Sequence, residues 1–310
     1  MVKVDLITGF LGAGKTTFIR KYAQFLIDSG YHIGILENDF GAVNVDMMLL
    51  QDLMGEQCEL EMISGGCDKD CHRRRFKTKL IAMGMCGYDR VIIEPSGIYD
   101  VDEFFDVLRE EPLDQWYEIG NVIAIVNAKL ENELSQASDY VLASECANAG
   151  KVLLSRTKEA SDAEKKATIA HLNRALEQVQ CKRRLSGEIV QKDWDTFTKE
   201  DFEAVLHCSY VPESYRKLDF DEKEAFTSVY FMNIQMDEAK LCDTVEKILQ
   251  DETCGMVFRI KGFLKKEDGS FLELNATKEG IRVQPIAQGQ EVFIVIGEGL
   301  NKERIQSYWE

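Results

Sequence analysis

Gly9-Phe10-Leu11-Gly12-Ala13-Gly14-Lys15-Thr16-Thr17 fits the pattern Gly-x-x-x-x-Gly-Lys-Ser/Thr. Its surroundings are those the pattern needs. The apolar run Val2 to Ile7 precedes it and reads as a core strand. Thr17 to Asp28 follows as an amphipathic helix, with Phe18, Tyr22, Phe25 and Leu26 on one face and Gly30 just past its end. Gly9, Gly12 and Gly14 let the backbone curl so that consecutive N–H groups, those of Ala13 and Thr17 among them, turn toward phosphate oxygens. The helix N-terminus adds its dipole. Lys15 supplies a cation for the β and γ phosphates, and the Thr16 hydroxyl can ligate Mg²⁺. The expectation is a loop that holds a nucleoside triphosphate.

Beyond the loop, short apolar runs alternate with amphipathic stretches. Strands are expected at Ile33–Glu37, Leu60–Ile63, Arg90–Glu94, Asn121–Asn127 and Lys151–Ser155. Helices are expected at Arg73–Met85, Asp102–Arg109, roughly Lys129–Ala147, and Asp162–Val179. That alternation predicts an α/β domain of the P-loop NTPase kind, with a mostly parallel sheet, over residues 1–210. Ligands of such sheets sit at the carboxyl ends of the strands. Two acidic tips lie there: Asp39, just after the second strand, and Glu94 at the end of the fourth. Both are candidate catalytic groups beside Lys15, Glu94 also as a Mg²⁺ ligand with Thr16, and the Gly97 N–H is placed to meet a γ-phosphate.

The charged stretch 211–224 carries Pro212 and reads as a linker. Over 225–310 the pattern changes to a strand, a helix at Glu238–Gln250, three or four further strands, and a closing helix from Asn301. This predicts a smaller α+β domain with a largely antiparallel sheet.

The bulk numbers narrow the function classes. A net charge of −17 over 310 residues argues against nucleic acid as a partner. The basic run Arg73-Arg74-Arg75 reads as a solvated helix face. No apolar stretch approaches the ~18 residues of a membrane span, and the first residues lack a leader's cleavage site, so a cytoplasmic protein is expected. Nine cysteines without a framework of close spacing then read as reduced thiols, mostly buried. Cys67 and Cys71 are the exception. Two thiolates four residues apart can share one metal ion, and Cys71 sits just before a helix whose dipole favours the thiolate.

In order along the chain, Gly9–Thr17, Glu37-Asn38-Asp39-Phe40-Gly41-Ala42-Val43, Cys67 and Glu94-Pro95-Ser96-Gly97 resemble the CobW/YjiA group of P-loop GTPases. These are relatives of UreG and HypB associated with metal delivery. Phe258-Arg259-Ile260-Lys261-Gly262-Phe263 resembles the group's carboxy-terminal domain, so the likeness extends over nearly the whole chain. The resemblance implies GTP as the nucleotide, hydrolysis, a transition metal (zinc first) as cargo, a client metalloprotein as recipient, and Glu37 as a metal ligand beside Cys67 and Cys71.

Two stretches depart from that group. Its Cys-x-Cys-Cys motif is here Cys67-Asp68-Lys69-Asp70-Cys71-His72. Its guanine-reading Asn/Thr-Lys-x-Asp is here Ser155-Arg156-Thr157-Lys158, and a lysine has donors only, so it cannot accept from N1–H and the 2-amino group. Ser155 and Arg156 remain candidate base contacts, Arg156 by stacking. Two alternatives stay open: a nucleotide-gated binding module with little turnover, and an ATPase of related fold.

Overall fold

The computed structural model describes residues 1–39, 46–64, 69–97, 101–217, 225–266, 268–286 and 289–310, with the backbone alone at 39, 46–48, 64 and 69. The chain divides into two units, Met1–Leu218 and Asp219–Glu310.

In the first unit the order is β1 (Val2–Thr8), α1 (Lys15–Asp28), β2 (Ile33–Asp39), a 3₁₀ segment (Asp46–Leu53), β3 (Cys58–Ser64), α2 (Lys69–Met83) and β4 (Arg90–Pro95). Then come α3 (Val101–Leu108), α4 (Leu113–Trp116), β5 (Tyr117–Asn127), α5 (Gln136–Ala147), β6 (Lys151–Ser155), α6 (Asp162–Gln178), β7 (Ile189–Val190), a 3₁₀ turn (Trp194–Thr196) and α7 (Lys199–Leu206). The strands form one sheet in the order β3-β2-β4-β1-β5-β6-β7, every neighbouring pair parallel. The chain leaves β1 toward one edge, returns through β4, and then builds the other half from β5. The carboxyl end of β1, where the glycine loop starts, is therefore the point at which strand order reverses, the usual ligand crevice of an open α/β sheet.

Burial explains the apolar runs. Leu6, Ile7, Ile33, Ile35, Ile92, Ile123 and Ile125 are fully buried, as expected where helices cover both faces of a parallel sheet. On α1, Phe18, Ile19, Tyr22, Ala23 and Leu26 form the buried stripe, packed on Ile7, Ile35, Ile92 and Leu153. Its end is closed by the Tyr31 N–H donating back to the Leu26 carbonyl at 3.0 Å.

Some elements differ from the sequence expectation. The helix expected from Lys129 begins at Gln136, because the Ser135 hydroxyl caps it by accepting the Ser138 N–H. Strand β5 starts at Tyr117, four residues early, paired with Val2 of β1. Strand β7, the 3₁₀ turn and α7 had no counterpart in the expectation. Residues 211–217 have no regular structure and are tied to this unit by Val211 N–H to Asn148 O, Arg216 N–H to Val179 O, and the Lys217–Asp102 ion pair. Of the basic run on α2, Arg74 and Arg75 are exposed, whereas Arg73 and Lys77 both reach Glu110 at 2.6 Å and hold its carboxyl below the usual range.

The second unit has an antiparallel sheet ordered β11-β10-β9-β12-β8, from β8 (Thr227–Met232), β9 (Met256–Lys265), β10 (Phe271–Thr277), β11 (Gly280–Ile286) and β12 (Val292–Glu298). Helices Glu238–Gln250 and Lys302–Trp309 pack on it. Leu241, Val245 and Ile248 meet Val257, Ile260, Phe293 and Trp309 in its core. This is the α+β architecture expected.

Candidate nucleotide site

At the start of α1 the helix is left open. Its N-cap is Gly14 in a left-handed conformation (φ 101°), with no side-chain cap and no acidic residue in the first turn. By contrast, α5, α6, α7 and the helix Glu238–Gln250 each receive a side-chain oxygen at that position. First-turn amides without a protein acceptor are what an anion binds. Beside them Lys15 is buried, its Nζ donating to the Gly9 carbonyl at 2.7 Å across the loop. An ammonium parked on a backbone carbonyl can turn to a phosphate oxygen without first shedding a water shell.

The strand tips supply acid next to this loop. Thr16 Oγ1 donates to Glu94 Oε1 at 2.9 Å, both groups buried. In the sheet, Glu37 of β2 lies directly opposite Glu94 of β4. Glu37 continues the face of Ile33 and Ile35, and Glu94 that of Ile92, all three of which lie in the core with α1. Two buried carboxyls side by side on one face make an electronegative spot that attracts a cation. The Thr16 hydroxyl and the Glu94 carboxyl are oxygen donors of the kind that suits Mg²⁺. Gly97 packs on the loop: a Cβ there would fall 2.8 Å from the Leu11 nitrogen. Asp39 occupies the last position of β2, opposite Ser64 of β3. Cys71 is half-buried in the first turns of α2, and Cys67 lies outside the described residues.

The far end of the site is built from the end of β6 and the segment after β7. Ser155 is buried and Arg156 turns left-handed (φ 52°), which carries its guanidinium back to donate to the Gly12 carbonyl at 3.3 Å. Lys158 lies between two carboxylates, 3.3 Å from Asp193 and 3.4 Å from Asp195. Between those aspartates, the Trp194 ring packs 5.6 Å from Phe18 and stands 3.6 Å from where a Gly14 Cβ would be. Thus one aromatic ring, one guanidinium and a mixed-charge cluster flank the loop.

Comparison with known proteins gives the family. The sequence profile described as CobW/HypB/UreG, nucleotide-binding domain, matches residues 3–185, more than half of the chain. The chain belongs to the CobW/HypB/UreG family. Among curated relatives, the zinc chaperone YjiA of Escherichia coli is 33% identical over 175 residues, 53% of this chain and 52% of that protein. The zinc-regulated GTPase metalloprotein activator 1 of Schizosaccharomyces pombe is 21% identical over 353 aligned positions, 99% of this chain and 84% of that one. The chain thus spans about half the length of YjiA but most of the fission-yeast protein. Among solved structures, zinc-bound YjiA GTPase (triple mutant) superposes with a TM-score of 0.39 at 21% identity, covering 99% of this chain and 98% of that one.

For this family member, the structure brings Gly9, Lys15, Thr16, Glu94 and Gly97 together with Glu37, and sets Ser155 and Arg156 on the loop's other flank. Four residues at the site were missed by the sequence reading: Asp193, Trp194, Asp195 and Glu145. The last is fully buried on α5, against Thr8 and Gly9.

Proposed function

We propose that this protein binds and hydrolyses a nucleoside triphosphate, GTP first, with Mg²⁺, and uses the nucleotide state to hold or hand over zinc to a client metalloprotein. The supporting observation is the open end of α1, with Lys15 and the Thr16–Glu94 pair gathered around it. Lys15 moves from the Gly9 carbonyl to the β and γ phosphates. Thr16 and Glu94 hold Mg²⁺, which supplies positive charge against the phosphate oxygens. Asp39 and Glu94 orient the attacking water. That water forms a bond to the γ-phosphorus as the bridging oxygen leaves with the diphosphate.

GTP is preferred over ATP through the family and the surroundings of Lys158. Asp193 and Asp195 place carboxylate acceptors beside the position where the family's aspartate is lost. The metal reading joins Glu37 to Cys67 and Cys71. It is supported by the register that sets Glu37 beside Glu94, next to the nucleotide loop, so that a metal held by Glu37 would feel the nucleotide state. Release on hydrolysis requires that the triphosphate and diphosphate states bind zinc with different affinity.

A titration of ATP, GTP, CTP and UTP with Mg²⁺, repeated with Zn²⁺, tests the reading. GTP is expected to bind tightest, Lys15→Ala to weaken it by about tenfold or more, and Zn²⁺ affinity to differ between a non-hydrolysable triphosphate and the diphosphate. Retention of no triphosphate overturns the whole reading. Equal zinc affinity removes delivery. Phosphate release no faster than that of Lys15→Ala turns it into a binding module.

A further inference from the structure

From Ser138 to Ala147 every residue of α5 is buried, and near its end small and apolar side chains surround a carboxyl, Glu145. The Thr8 hydroxyl and the Gly9 amide, where β1 passes into the phosphate loop, are near enough to pull this carboxyl down, and so is the Lys15 ammonium. None of them completes a hydrogen bond of ordinary geometry with it. Both oxygens of Glu145 are buried without a partner among the described residues, and so is the hydroxyl of Thr8. Burial outweighs these attractions and pushes the carboxyl up to about 8. Lys15 is the charged group that acts on it. Its neighbour Cys146 is a thiol held neutral by burial, and Arg183 faces the helix end through the Cys146 and Ala147 carbonyls.

We propose that Glu145 is a positioning residue of the phosphate loop: neutral, it leaves Lys15 to the nucleotide, and ionised, it competes for Lys15 and opposes a bound triphosphate. The inference rests on the nucleotide-binding reading above.

The ammonium has two possible anionic partners, the carboxylate behind the loop and the phosphates in front of it. Drawing Lys15 forward removes the charge that favours an ionised Glu145, and a polyanion nearby disfavours it further through a low-dielectric interior. Nucleotide binding therefore raises the proton affinity of Glu145, and by linkage its ionisation lowers nucleotide affinity. With the midpoint at about 8, affinity is set by the protonated fraction and falls about tenfold between about pH 7 and about pH 9. A glutamine accepts and donates as the neutral acid does but cannot ionise.

The test measures the Kd of a fluorescent GTP analogue with Mg²⁺ across that range, for the full chain and for E145Q. Calorimetry of the unaltered chain near pH 8, in buffers of different ionisation enthalpy, counts the protons taken up, so the question is answered even if E145Q fails to fold. The expected result is a falling affinity and proton uptake in the natural protein, with a flatter profile in E145Q. Superimposable profiles, or binding without proton uptake, overturn the proposal and leave Glu145 a structural residue. If the unaltered chain binds no analogue at any pH, or Lys15→Ala binds it equally, the nucleotide reading itself fails and takes this proposal with it.

Discussion

Arg90→Ala is expected to destabilise the first unit by about 3–5 kcal/mol, the range found when one partner of a buried ion pair is removed. Arg90 is the first residue of β4 and Asp5 lies midway along β1, short of the carboxyl end where the glycine loop starts, with side-chain exposures of 5% and 0%. The guanidinium donates to Asp5 Oδ1, which also accepts from Asn121 Nδ2 at 2.8 Å, while Tyr22 OH donates to Oδ2 at 2.9 Å. Burial alone would drive the Asp5 carboxyl up, and Arg90 is the largest of the influences that oppose it. Without Arg90, two neutral donors remain and the charge is left uncompensated. The sign of the pH dependence follows. A carboxyl whose folded value is raised contributes its full stability below its unfolded value, about 4, and loses it as pH rises. The deficit of Arg90→Ala should therefore shrink in urea titrations as pH falls toward about 4. Replacing both residues with apolar ones of similar size should recover much of the loss. A single substitution costing under about 1 kcal/mol at neutral pH would show that the pair is not what holds this part of the sheet.

What could be seen in the sequence was local. The glycine loop, its flanking strand and helix, and the parallel strands rest on patterns a few residues long, and β6 ends at Ser155 as its apolar run does. Elements set by tertiary contact were not visible. Strand β7 has two residues, too few for any period, and exists because it lies along β6. Helix α7 did carry a signal, the Thr198–Asp201 capping box, just before a short amphipathic run. The Trp194 contact with Phe18 spans most of the domain in sequence and no local pattern encodes it. The same holds for Lys158: its side chain announces a lost acceptor, but the aspartates beside it arrive from the loop after β7. Glu145 illustrates the limit most sharply. An acidic residue near the end of a helix reads as solvent-facing until packing shows α5 buried from Ser138 to Ala147. Glu37 and Glu94 were each visible as strand-tip acids, yet their pairing depends on β2 and β4 being adjacent, which strand order alone decides.

Gly9→Ala is expected to weaken triphosphate binding by at least about a hundredfold, roughly 3 kcal/mol, and to lower the melting temperature as well. Gly9 has φ 148°, in the region that L side chains rarely adopt, at a strain of order 1–3 kcal/mol. Strain is the smaller part. A Cβ at this position would stand 2.3 Å from the Ile125 carbonyl oxygen and 3.1 Å from Ile125 Cβ. Ile125 is fully buried near the carboxyl end of β5, and its backbone is held by pairing with Leu153 of β6. Neither atom belongs to a flexible side-chain end, so the loop must move instead. Movement there takes the Gly9 carbonyl away from Lys15 Nζ and tilts the amides that follow. A preorganised cradle then has to be rebuilt by the ligand, at the expense of affinity. Thermal melts with and without nucleotide separate the two effects. The natural chain should gain stability on adding GTP and Mg²⁺, whereas Gly9→Ala should melt lower and gain little. Lys15→Ala provides the contrast, since it removes the ammonium without disturbing the backbone curl and should retain more of the ligand-induced shift. A Gly9→Ala protein that binds triphosphate as the natural chain does would mean that the close approach to β5 does not shape the loop.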